Sequence, residues 1–167
     1  KLGSREENDL SREMWNAKFS GLRNFSHLYI TTPSKWLGKC VQSSSLMGNL
    51  PLRVINNGVP TKIFQPRNAH VIRKELDIPK DAKIILFGAA TVTVNRKGFY
   101  YLLNSLNTLK SISGNRCDIY IVVFGNLPQN FNAEMPFPFI SIGHVNDEHK
   151  LSEIYSASDV FLIPSLE

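Results

Sequence analysis

From Ile84 onward the apolar positions fall into blocks of two kinds. Lys83-Ile84-Ile85-Leu86-Phe87-Gly88 is a continuous apolar run closed by glycine, which predicts a parallel strand buried on both faces. Phe99, Leu102, Leu103, Leu106 and Leu109 then recur at helical spacing between Gly98 and about Ile112, with Gly114 and Asn115 as the stop. Residues 118–125 form a second apolar run, rich in β-formers, and Phe139 to Gly143 a third beyond a loop punctuated by Pro128, Pro136 and Pro138. Asp147 is placed to cap a helix in which Leu151, Ile154 and Tyr155 share a face. Val160 to Ile163 is a fourth strand, stopped by Pro164. Strands alternating with helices predict an α/β fold with a Rossmann-like parallel sheet and flanking helices.

The first 65 residues are patterned differently. A polar opening leads into a helical stretch carrying Met14, Trp15, Phe19 and Leu22. Leu28 to Thr32 reads as a strand, Pro33-Ser34 as a helix start, and Lys35 to about Leu46 as the helix. Arg53-Val54-Ile55 is a short strand followed by the turn Asn56-Asn57-Gly58, and Pro60 and Pro66 stiffen a connector. Trp15 and Trp36 are expected to pack beneath that connector.

Composition narrows the class only a little. A content of 43% hydrophobic and 20% charged residues is ordinary for a globular protein. No apolar run approaches the ~20 residues that span a bilayer, and nothing at the start reads as a signal peptide. The formal charge of +5 is spread out apart from Arg73-Lys74 and Arg96-Lys97, so no basic stripe suggests nucleic-acid binding. Cys40 and Cys117 lack metal-ligand spacing and read as buried free thiols in a reducing compartment. No His, Cys or carboxylate cluster has metal-ligand spacing either.

The candidate chemistry lies in Asn95-Arg96-Lys97-Gly98. Two cations stand where a helix is expected to begin, and that end already carries partial positive charge. They are unfavourable there by roughly 0.3–1 kcal/mol each. An anion held between the side chains and the helix end removes the conflict, and a phosphate or diphosphate fits. The competing reading is a solvated basic loop. Gly88, at the end of its strand, suits close approach of a ligand or simply a tight turn. Gly125 and Gly143 carry the same two readings.

The order of motifs resembles one family. Thr32-Pro33-Ser34-Lys35-Trp36-Leu37, Val54-Ile55-Asn56-Asn57-Gly58-Val59 and Phe64-Gln65-Pro66 resemble the domain junction of family 4 glycosyltransferases. Phe87-Gly88-Ala89 with Arg96-Lys97-Gly98-Phe99 resembles their donor-phosphate loop. Phe124-Gly125 and Ile142-Gly143-His144-Val145-Asn146-Asp147 are similar to the strand ends that face the nucleotide. Leu151 to Tyr155, then Ala157 to Ser165, resembles the run into the family's paired-glutamate motif. The variant with Trp15, Lys18 and Ser44-Ser45-Leu46 looks closest to bacterial capsule, colanic acid and O-antigen enzymes.

The resemblance implies a GT-B enzyme, with a cleft between two Rossmann-like domains. Residues 1–52 would be the end of an acceptor domain, 53–67 the connector, and 68–167 a truncated donor domain, so the sequence reads as a fragment. It further implies hexose transfer, with retention of configuration, from a nucleoside diphosphate sugar to a glycan or lipid-linked acceptor. No metal or other cofactor is implied. Arg96, Lys97, Gly88, Ala89 and Gly98 would bind the donor diphosphate, and Gly125, His144 and Val145 would lie near the base and ribose. Ala89 stands where many members have arginine, and Arg96 would supply the second cation. Glu167 falls just before the first motif glutamate, so no catalytic residue is expected within this stretch, and the fragment alone is expected to be inactive. Lipid-linked acceptors imply the cytoplasmic face of the membrane, and an unpartnered first segment implies weak self-association or high mobility there.

Two other classes compete. A non-catalytic nucleotide-binding Rossmann module would share the sheet. A nicotinamide-dependent oxidoreductase would need GxGxxG after the first donor-domain strand, which is absent, and Phe124-Gly125-Asn126 offers no acidic ribose partner. Asp159 is expected to make a structural hydrogen bond to a neighbouring turn, and His144 to face solvent.

Overall fold

A computed structural model describes residues 9–114, 118–128 and 135–166. The chain divides into two compact units, Lys1–Val59 and Pro60–Glu167.

In the first unit, α1 (Leu10–Arg23) is capped by Asp9, whose carboxylate accepts from the Arg12 N–H at 3.1 Å. Strands β1 (Ile30–Thr32) and β2 (Leu52–Val54) pair in parallel, with α2 (Lys35–Gln42) between them in sequence. Ser34 caps α2, its hydroxyl accepting from the Leu37 N–H. Gly38 is the helix's contact with the strands: a Cβ there would stand 3.3 Å from Val54 and 3.5 Å from Leu52.

Three expectations for this unit are corrected. Helix α2 stops at Gln42 rather than near Leu46, because the Ser44 hydroxyl accepts from the N–H groups of Leu46 and Met47 and draws the backbone into a turn. Cys40 is exposed rather than buried, since the face of α2 that meets the strands is the one carrying Gly38. Trp36 is 73% exposed for the same reason. Trp15 stacks on Phe19 at 4.8 Å and donates to Ser45 at 3.3 Å. Cys117 lies outside the described residues.

The second unit holds α3 (Ala69–Glu75), β3 (Lys83–Thr91), α4 (Phe99–Ser113), β4 (Ile119–Asn126), β5 (Phe139–Gly143), α5 (Glu148–Ala157) and β6 (Val160–Leu162). The four strands form one parallel sheet in the order β5-β4-β3-β6. Successive residues of β3 and β4 serve opposite faces. Phe87, Ile121 and Val123 join Phe99, Leu102 and Leu106 of α4 in one core. Ile84, Leu86 and Val122 join Ile154 of α5 and Ile78 in the other. Burial on both faces is what makes the strands continuous apolar runs.

Two features of this unit differ from expectation. Helix α3 was not anticipated; it is one short span capped by Asn68, whose side chain accepts from the His70 N–H. Strand β3 continues past Gly88 to Thr91, because pairing with β4 resumes at Thr91–Asn126 after a register shift.

Candidate functional site

All four strands of the second unit point the same way, so their carboxyl ends share one edge. From β3 the chain passes through α4 to β4 and onward to β5, on one side. It then returns through α5 to place β6 on the other side of β3. The strand order therefore reverses between β3 and β6. In open α/β sheets ligands bind in the crevice at that reversal, outside the carboxyl ends of the strands.

Arg96 and Lys97 occupy this place. They lie in a single 3-10 turn, Asn95–Lys97, that follows β3 and leads through Gly98 into α4. Arg96 is exposed and Lys97 half-buried, while Gly98 and Phe99 are buried. The Phe99 ring meets Phe87 edge-on at 5.5 Å, which anchors the first turn of α4 to β3. Gly98 has φ +73°, and a Cβ on it would stand 1.9 Å from the carbonyl oxygen of Pro164, just after β6. The turn is thus wedged between the exits of β3 and β6. Among the described residues no carboxylate pairs with Arg96 or Lys97; the ion pairs there join Arg73 and Lys83 to Asp159, and Lys150 to Glu75.

Other sequence-selected residues line the same edge. Gly88 and Ala89 lie in the last part of β3 and Gly125 near the end of β4, paired alongside it. The two glycines have partners of their own. A Cβ at Gly88 would stand 2.1 Å from the Phe124 ring, and one at Gly125, where φ is +111°, 1.7 Å from the Ala89 carbonyl oxygen. His144 and Val145 follow β5, two strands away from β3 and so about 10 Å along the edge. His144 is exposed, and Val145 packs against the core on the α5 side. Gly88, Ala89 and Gly125 thus lie toward the carboxyl ends of β3 and β4, the dibasic turn follows β3, and His144 and Val145 follow β5 at the far end of the edge. Among the described residues no cluster of His, Cys, Asp or Glu is arranged for a metal ion, and no helix is long and apolar enough to cross a membrane.

In the sequence Arg73 stands out only as part of a basic pair, and Asp159 is expected to make a single turn contact. Arg73 Nη2 lies 2.9 Å from Asp159 Oδ2, and its Nε and Nη2 both donate to the Ala157 carbonyl. Its Nη1 reaches the carbonyls of Lys80 and Ala82. Asp159 also accepts from the Ile84 N–H at 2.8 Å and from Lys83. Desolvation pushes the Asp159 carboxyl up, but the Ile84 N–H, Lys83 and Arg73 outweigh it and hold the group below its ordinary value. This network fastens the amino ends of β3 and β6, opposite the candidate site. Burial raises the Tyr155 hydroxyl.

No protein-family model matches the chain. In sequence it is 32% identical to a glycogen synthase of Mycoplasma mobile over 148 residues, which is 71% of this chain and 29% of that enzyme. In structure it is similar to a glycosyltransferase from Rickettsia africae ESF-5, with a TM-score of 0.67 and 18% identity across 97% of this chain and 43% of the other. A sucrose-phosphate synthase from Thermosynechococcus elongatus gives 0.58 and 20% across 98% and 40%. The chain spans less than half the length of each of these proteins. Its α/β architecture, parallel sheets with flanking helices, is similar to that of these two solved structures.

Proposed function

We propose that the second unit is the donor-binding part of a nucleotide-sugar-dependent glycosyltransferase. The reaction is transfer of a hexose, with retention, from a nucleoside diphosphate sugar to a glycan or lipid-linked acceptor in cell-surface polysaccharide synthesis, at the cytoplasmic face of the membrane. The observation that carries this reading is the position of Arg96-Lys97-Gly98 at the crevice where the strand order reverses. Breaking the anomeric C–O bond leaves negative charge on the β-phosphate, and two cations beside a helix amino end are suited to stabilise it. Gly88 and Ala89 complete the phosphate side, and Gly125, His144 and the backbone near Val145 lie on the nucleoside side. No catalytic residue is assigned within this stretch, and none of these roles calls for a metal ion.

The similarity to glycogen synthases favours a second acceptor, a glycogen-like glucan. The test of the donor site is calorimetric titration of the 167-residue chain with UDP, GDP and ADP and their sugar conjugates. Weak binding of at least one nucleoside diphosphate is expected. Binding of none, or binding undiminished in Lys97→Ala, would overturn the reading.

A further inference from the structure

We propose that Pro164–Leu166, the segment leaving β6, is a strap that positions the dibasic turn for a diphosphate, with Gly98 as the positioning residue between them. The inference rests on the donor-site reading and adds what holds the two cations in place.

The Leu166 N–H donates to the Arg96 carbonyl at 2.9 Å. Two residues before, the chain passes so close to Gly98 that a Cβ would overlap the Pro164 carbonyl oxygen at 1.9 Å and its carbon at 2.7 Å. Gly98 also needs its positive φ of 73° to turn the chain from the 3-10 turn into α4. Strap and turn can close on each other only where position 98 has no side chain.

The turn cannot hold itself. Its internal bonds are Lys97 N–H to Val94 and Gly98 N–H to Asn95, and no side chain caps it. So short a 3-10 segment has poor hydrogen-bond geometry and little intrinsic stability. Phe99 secures it from the core side and the strap from the other. None of the strap is fully buried: Pro164 and Ser165 are half-buried and Leu166 is 58% exposed. Leu166 bonds to the turn through its backbone. Adjacent cations repel, and holding both in place before the anion arrives lowers the reorganisation that binding demands.

The test compares Leu166→Pro, which deletes one N–H at an exposed position, with Gly98→Ala in the 167-residue chain. Binding of UDP, GDP and ADP and of the matched nucleosides is measured by calorimetry and ligand-observed NMR, with melting temperatures alongside. Leu166→Pro should bind the diphosphate about fivefold less tightly and Gly98→Ala about tenfold or more, with nucleoside binding unchanged. If Gly98→Ala does not fold, Leu166→Pro carries the test. Equal loss for nucleoside and diphosphate, or an unchanged preference between them, overturns the strap alone. A wild-type chain that binds no nucleoside diphosphate overturns the donor-site reading and the strap with it.

Discussion

Arg73 and Asp159 stand 2.9 Å apart and together close the amino ends of β3 and β6, although α3 and the start of β6 are far apart in sequence. The guanidinium side chain is 11% exposed and its donors meet three backbone carbonyls as well as the carboxylate. Removing it takes a donor from those carbonyls and leaves a partly desolvated carboxylate with only Ile84 N–H and Lys83 as partners. Arg73→Met should therefore destabilise the chain by about 2–3 kcal/mol in chemical denaturation. Arg73→Lys should rescue little, because an ammonium cannot reproduce the fork.

The same pair sets an acid limit. The folded-state value of Asp159 is depressed, so its contribution is complete above the unfolded carboxyl's value of about 4 and disappears as the pH falls through the folded value. Stability measured against pH should drop more steeply below about 4 in wild type than in Asp159→Asn. Parallel curves for the two proteins would contradict the assignment.

At the other end of the strands, Gly125→Ala should cost at least about 2 kcal/mol, since it adds both an unfavourable φ and a clash with the Ala89 carbonyl. Gly21→Ala is the control: nothing lies within 4 Å of a Cβ there. It should stabilise α1 by about 0.5–1 kcal/mol, read by circular dichroism on heating.

Under the proposed donor role, Lys97→Ala should lower sugar-transfer turnover by roughly 10²–10³, the effect of removing one preorganised donor to a developing anion. The melting temperature should stay near wild type, because Lys97 pairs with no carboxylate among the described residues.

Cys40 is exposed on α2 and should react with a thiol reagent without denaturant. A Cys40→Ser variant should lose that fast phase.

The strands of the second unit were legible because burial on both faces leaves continuous apolar runs, as in Ile84 to Phe87 and Ile119 to Phe124. The dibasic turn was legible because two cations before an amphipathic helix are locally unfavourable. The reasons for the glycines were not. Phe124 against Gly88, the Ala89 carbonyl against Gly125 and the Pro164 carbonyl against Gly98 all come from neighbouring strands or their exits, and no local pattern reports them. Helix α3 is too short to show a period, although Asn68 is an ordinary capping signal for it. On α2 the usual link between apolar character and burial fails, because the closest contact with the strands is made by a glycine.

The strand order β5-β4-β3-β6 has a kinetic consequence. No two neighbours in this sheet are joined by a hairpin, so every pairing closes a long loop. Of these four strands β3 is made first, yet it receives its second neighbour only when β6, the fourth of them, arrives. Refolding should be slow for a domain of this size, with the β3–β6 contact among the late events; until then the floor beneath the dibasic turn is unfinished.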